Sequence, residues 1–282
     1  MQRNIVIAPV GNKGYLFKEK WLENIKEKEF ELCLMFYHEQ ILDPSKYEVA
    51  DHFFHLKDFK YHMLHELLTR VKPEWLEQYD YFYFLDDDID INTEDINRMF
   101  VNARAMNADI CQASLSRDSF CSWPIFKNHS NCFCRFVGQV EVMAPLFSKH
   151  ALKACLESFI GNKSSWGVDT VWTKILGNPS NKLIVFDNVM MKHTLPVGGG
   201  ELYAKLGVSP YDEWKMITDK YGSRKHYYTE LGRLQLVDKK HSFVMYLSAQ
   251  AKDKWRNMVR FINDFGFAAR VKSRSRKLLG LK

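Results

Sequence analysis

The chain has 282 residues, 46% of them hydrophobic and 14% aromatic, with a formal net charge of +6. That is enough apolar material for a sizeable globular core, and it excludes a disordered chain. The positive balance is local: residues 252–282 hold ten Lys or Arg against Asp253 and Asp264, so the rest carries a net −2 and excludes a uniformly basic body.

No apolar run approaches the roughly 20 residues that span a bilayer, so membrane contact is expected to be peripheral. The six cysteines (Cys33, Cys111, Cys121, Cys132, Cys134, Cys155) lack the paired spacing of a zinc site and no secretory signal is visible. Reduced thiols in a cytoplasmic protein are therefore expected.

Residues 4–10, NIVIAPV, are a β-branched run closed by GNKG and predict a first strand ending in a turn. Residues 18–28 have helical character, and 30–37 and 51–56 read as strands. Tyr61, Leu64, Leu67, Leu68 and Val71 recur at helical spacing until Pro73. Residues 81–85 are continuously apolar, like a strand buried on both faces of a parallel sheet. A helix over 94–108, a strand over 109–115 and a polar, aromatic loop over 116–132 follow. Next come a strand over 137–147 (VGQVEVMAPLF), a helix over 149–159 capped by Ser148, a helix over 166–176, a strand over 182–186 and the Gly-rich LPVGGGELY at 195–203.

Strands alternating with helices predict an α/β fold with a mostly parallel central sheet flanked by helices, whose ligands bind at the carboxyl ends of the strands. The catalytic domain is expected over 1–205, followed by a helical extension over 206–282 with a basic amphipathic end.

The stretch FLDDDIDIN, 84–92, places four carboxylates within five positions directly behind a buried strand. Charges that close repel one another and need a cation among them, a divalent metal being the simplest. An EF-hand is excluded: counting from Asp86 puts Ile91 at the turn glycine and Asn97 at the bidentate Glu, and counting from Asp88 gives Thr93 and Met99. A phosphohydrolase with a nucleophilic Asp also sets such a motif at a strand end, usually on the first strand of its domain, whereas three predicted strands precede this one. The remaining reading is a carboxylate pair that holds Mg²⁺ or Mn²⁺ on a nucleotide diphosphate, phosphate oxygens completing the shell.

The blocks KYHMLHELLTRVKPEWLEQYDYFYFLDDDIDIN, VEVMAPLFSKHAL, SSWGVDTVW and FDNVMMKHTLPVGGGE, together spanning about 60–203, resemble an uncharacterised plant and bacterial domain family. Some members carry the label "lysine-ketoglutarate reductase trans-splicing related", and the family is similar to nucleotide-sugar glycosyltransferases of the GT-A fold. The resemblance implies a GT-A-like (Rossmann-like) fold, a nucleotide-diphosphate sugar as donor and a metal-binding DxD at Asp86 and Asp88. Where family members often have Glu between the two acids, this chain has Asp87, left to face the ribose or a lysine. Asp90 lies beyond the motif and is read as solvated. His193, in VMMKHTLP, is the third metal ligand that the resemblance implies.

Transfer from a nucleotide diphosphate needs a neutralised leaving group, a base for an inverting displacement, and exclusion of water. Asp169 in SSWGVDTVW is the expected base, at a helix N-terminus whose dipole would hold its pKa low; Glu141 is the reserve, and Trp166 is placed to stack on a sugar. Ala8, Pro9, Val10 and Lys13 at the end of the first strand, with Lys60, are the expected nucleotide contacts, and Gly198 to Gly200 a flap.

The basic tail sets Trp255, Met258, Val259, Ile262 and Phe265 at helical spacing, which suits an anionic membrane surface better than nucleic acid. The expected activity is sugar transfer to a glycan or lipid-linked acceptor in bacterial surface-polysaccharide synthesis, at the inner face of the cell membrane. A Mg²⁺-dependent phosphohydrolase and a nucleic-acid-binding or regulatory protein remain as alternatives.

Overall fold

The computed structural model describes residues 3–197, 207, 209–223 and 228–236. The expected flap at Gly198 to Gly200 and the basic tail lie outside the described residues. Strand β1 (Asn4–Val10) is buried at every position, as expected for a central strand of a sheet covered on both faces, and lies between β2 (Glu31–Phe36) and the later β4. Between β1 and β2 the expected helix over 18–28 is replaced by a π turn at Phe17–Trp21 and a 3₁₀ turn at Ile25–Glu27. Side chains divert the chain there: the Trp21 indole donates to the Ile89 carbonyl at 2.8 Å, and Thr93 Oγ1 donates to the Trp21 carbonyl while accepting from the Asn24 N–H.

Strand β3 (His52–His55) joins β2 in parallel, and α1 (Lys60–Glu66) runs on into a π turn at Leu67–Val71. The short α2 (Trp75–Gln78) leads into β4 (Tyr81–Phe84), and the two-residue β5 (Ile89–Asp90) follows the acidic cluster. Then come α3 (Thr93–Ala105), capped by the Asn92 side chain, and β6 (Ile110–Leu115).

The strand expected over 137–147 is not formed. It splits into the last residue of β7 (Cys132–Val137), an irregular crossing, and β8 (Leu146–Ser148). Side chains satisfy the crossing's backbone in place of a ladder. Lys60 Nζ and the Tyr61 hydroxyl donate to the Val142 carbonyl, Lys60 also to Met143, and Gln112 Oε1 accepts from the Glu141 N–H at 2.6 Å.

Helix α4 (Lys149–Cys155) is capped by Ser148, whose Oγ accepts from the Ala151 N–H. Helix α5 (Val168–Ile175), β9 (Leu183–His193), α6 (Pro210–Tyr221) and β10 (Glu230–Gln235) complete the described elements. The strand order is β10-β7-β9-β6-β8-β4-β1-β2-β3, with β5 on the far end of β9. All strands on that path except β7 and β8 point the same way, so the sheet is mixed with mainly parallel strands, as the alternation of elements predicts. The described elements fall within one compact unit, inside residues 1–235.

In the β6–β9 pair Ala113 faces Phe186 but Ser114 faces Met190, so residues 187–189 loop out of the ladder. From that bulge Asp187 meets Arg135 through two hydrogen bonds, at 2.7 and 3.0 Å, both side chains being fully buried. Beneath the irregular crossing, Tyr61 packs on Phe159 and Trp172 on Phe147, each pair with ring centroids 4.8 Å apart.

Candidate active site

The parallel register of β1 and β4 pairs Ile7 with Phe84. Two residues further on, at the carboxyl ends of both strands, the acidic cluster meets the loop after β1: the Gly11 N–H donates to Asp87 Oδ2 at 3.2 Å. Gly14 is also needed there, because a Cβ would lie 2.6 Å from that same oxygen. Asp87 thus closes the GNKG turn. Burial and the neighbouring Asp88 lift its carboxyl to about 7.

Asp86 accepts from Lys60 Nζ at 2.7 Å, and the same ammonium donates to the Val142 and Met143 carbonyls at 2.8 and 2.9 Å. All three donors of the lysine are therefore spent on protein oxygens. Burial lowers the Lys60 pKa and raises that of Asp86, and each charge partly offsets the effect on the other. Asp90, expected in solvent, is half-buried on β5.

His193 is the last residue of β9, which runs seven residues past the predicted strand end at 186. β5 pairs antiparallel with this extension, Ile89 opposite His193, and Thr194 donates its N–H and hydroxyl to the Asp88 carbonyl at 3.0 and 2.8 Å. The pairing brings His193 Nε2 to 3.0 Å from Asp88 Oδ2. Burial disfavours the imidazolium, but the hydrogen bond and charge of Asp88 outweigh it and raise the His193 pKa. The backbone around the histidine is held by residues 116–131: Ser119 Oγ accepts from the His193 N–H, and the Phe120 N–H donates to the His193 carbonyl.

Asp169 stands in the first turn of α5 and is only 7% exposed. The helix dipole was expected to keep its pKa low; burial overrides the dipole and lifts it to about 6, although Gln139 and the Thr170 N–H hydrogen-bond the carboxylate. Asp86, Asp87, Asp88, His193, Asp169, Lys60, Pro9, Glu141 and Trp166 all line a single cavity of about 590 Å³. Of the other expected contacts, Ala8 and Val10 are fully buried in the core, and Lys13 is exposed and lies outside the cavity lining. Sequence reasoning missed Tyr61, Trp123, Tyr211, Trp214 and Tyr228, which also line it. The last three fall beyond the expected domain end.

Among the described residues no three His, Cys, Asp or Glu side chains gather closely enough to hold an ion by themselves. Asp88 and His193 nevertheless fit a divalent ion. Their 3.0 Å separation matches two adjacent corners of an octahedron with bonds of about 2.1 Å, and Asp88 Oδ1 and His193 Nδ1 are buried without a hydrogen-bond partner. Mg²⁺-type ions commonly take only one or two protein ligands and complete their shell with phosphate and water. Asp86, expected as a ligand, is instead turned to Lys60.

No protein-family model matches the chain, and no curated protein matches it by sequence. Solved structures do. A crystal structure of residues 1–349 of Staphylococcus aureus TarS in complex with UDP-GlcNAc superposes with a TM-score of 0.50 at 14% identity, covering 78% of this chain and 65% of that one. The fold is GT-A-like. A Desulfovibrio desulfuricans G20 protein, provisionally named a nucleotide-diphospho-sugar transferase, aligns over 78% of this chain and 97% of its own, with 10% identity and a TM-score of 0.43. This chain spans less than two thirds, 65%, of the TarS fragment. In the GT-A-like frame, the cavity sits where the strand-end rule places ligands of such sheets.

Proposed function

We propose that this protein is a glycosyltransferase that moves a sugar from a nucleotide diphosphate to a hydroxyl of a glycan or lipid-linked acceptor. One observation carries the reading: the Asp88–His193 pair and the buried Asp169 open into the same cavity at the carboxyl edge of a GT-A-like sheet. The setting in bacterial surface-polysaccharide synthesis belongs to the same proposal.

Asp88 and His193 would hold a divalent ion; when bound, such an ion neutralises the departing diphosphate. The nucleotide then lies against Pro9 and Tyr37, beside the turn that Asp87 closes. Lys60 fixes Asp86 and, through the Val142 and Met143 carbonyls, the crossing that carries Glu141 into the cavity. Asp169 is the base. With a pKa near 6 it is ionised at neutral pH yet retains affinity for a proton, the compromise general-base catalysis requires. In an inverting displacement the acceptor oxygen bonds to the anomeric carbon and the bond to the diphosphate oxygen breaks, its electron pair leaving with the diphosphate. The acceptor proton passes to Asp169. The depth of this carboxylate also limits competing attack by water.

The test is calorimetric titration of nucleoside diphosphates with and without Mn²⁺ against wild type and Asp88→Ala, starting with UDP because the TarS complex contains a UDP-sugar. Metal-dependent binding that Asp88→Ala removes is the expected result. A folded wild type that binds none of them would sink the reading and move attention to phosphate-ester hydrolysis.

A further inference from the structure

We infer that Gln139 and Thr170 are positioning residues for Asp169, whose role as base rests on the transferase reading above: the Thr170 hydroxyl fixes the Gln139 amide, and the amide presents its N–H to the carboxylate. Helix α5 buries Thr170 and Thr173, one turn apart, almost completely. A threonine hydroxyl inside a helix can return its proton to the carbonyl one turn back. These two send theirs outward instead. Thr173 Oγ1 donates to the Gly138 carbonyl at 2.8 Å, and Thr170 Oγ1 donates to Gln139 Oε1 at 3.2 Å. The Gly138 N–H donates to the Thr229 carbonyl at 2.9 Å, so the segment that carries Gln139 is held from a second side, next to β10.

The two threonines act on different groups. Thr173 holds backbone, which anchors the helix. Thr170 holds a side chain, and a planar amide whose oxygen is engaged offers its N–H groups on the other prong. Gln139 is fully buried, and its Nε2 has no close hydrogen-bond partner. An orphaned donor at that depth is costly, and a leucine would avoid the cost. What the amide acts on is Asp169. Burial lifts that carboxyl, and among the contacts that hold the rise back Gln139 comes first, ahead of the Thr170 N–H, which donates at 2.8 Å. The amide contact is long in the free protein, as catalytic hydrogen bonds often are before substrate arrives. The reverse orientation would set the amide oxygen against the carboxylate. Burial, with the charge of Asp169 and its neighbours, raises Tyr61 and Tyr228 well above their ordinary values, so both stay neutral while the carboxyl titrates. Glu141, Lys163, His193 and the acidic cluster share the cavity and are common to wild type and variants.

The test is carboxyl ¹³C NMR titration of the full chain, with the Asp169 signal assigned by its loss in Asp169→Asn. Wild type should titrate near pH 6. Gln139→Leu should move the midpoint up by about one pH unit and Thr170→Val by about half as much, because each weakens a hydrogen bond to the anion. Thr170→Ser keeps the hydroxyl and should stay at the wild-type value. In the Gln139→Leu background Thr170→Val should add almost nothing. Thr173→Val is the control for anchoring: it removes a bond of the same kind and should leave the midpoint in place. Circular dichroism checks folding, and if Gln139→Leu does not fold the three threonine variants carry the test. An Asp169 midpoint that stays put in the folded Gln139→Leu and Thr170→Val variants overturns the proposal. So does a shift in Thr173→Val as large as that in Thr170→Val, which would assign both threonines to anchoring alone. The titration needs no substrate, so a carboxyl that follows Gln139 in a protein that binds no nucleoside diphosphate would keep the cluster and sink the transferase reading.

Discussion

The acidic cluster and Asp169 face one cavity but are held by different means. On that side Lys60 answers Asp86 with an ion pair and His193 answers Asp88 with a hydrogen bond. Around Asp169 the hydrogen-bond partners are neutral, Gln139 and the Thr170 N–H, and burial dominates. The contrast separates two jobs. On the proposed reading, partnered groups would stay in place for a cation and a diphosphate, whereas a desolvated carboxylate among dipoles would keep its appetite for a proton.

The strongest way to break this comparison is Asp169→Asn. Transfer should fall by about 10²–10⁴-fold while metal-dependent nucleotide binding survives, the reverse of Asp88→Ala, as initial rates and calorimetry would show. A control away from the cavity is the Arg135–Asp187 pair: Asp187→Ala leaves a buried guanidinium uncompensated and should cost about 3–5 kcal/mol in urea denaturation.

The pH dependence sharpens the contrast further. Because the Asp169 pKa is raised from 3.8 to about 6 on folding, its contribution to stability is full below 3.8 and is lost as pH rises through about 6, by up to about 3 kcal/mol. Activity should run the other way, with an acid limb near pH 6, and Asp169→Asn should reduce the stability difference between pH 4 and 8 in denaturation curves, leaving the part that Asp87, lifted to about 7, contributes with the same sign. The smallest expected effect is at the α4 cap, where Ser148→Ala should cost about 1 kcal/mol without touching either binding property.

Much of the parallel wing was legible because local pattern and tertiary role agree there. β1 spans its predicted 4–10, and β2, β3, β4 and β6 fall within their predicted runs. Residues 137–147 misled because their alternation is that of a strand, while the decisive partners, Lys60 and Tyr61, lie about 80 residues upstream and take the carbonyls from the side. The acidic cluster was visible as a charge anomaly behind a buried strand. The approach of His193 to Asp88 depends on β5, only two residues long and without a pattern of its own. Tyr211 and Trp214 were missed because they lie outside every motif, and Glu213 between them meets residues 163 and 164, which lie about 50 residues upstream.

The three residues that β9 loops out have one more consequence, which is a matter of parity. Strand side chains alternate between faces, so omitting an odd number from the ladder inverts the alternation of everything downstream. Ahead of the bulge Phe186 shares a face with Ala113; beyond it Met190 shares one with Ser114, leaving Met191 and His193 buried and Met190 half in solvent. The face that the imidazole takes is therefore settled where pairing resumes, with Met190 opposite Ser114, three residues before the histidine itself.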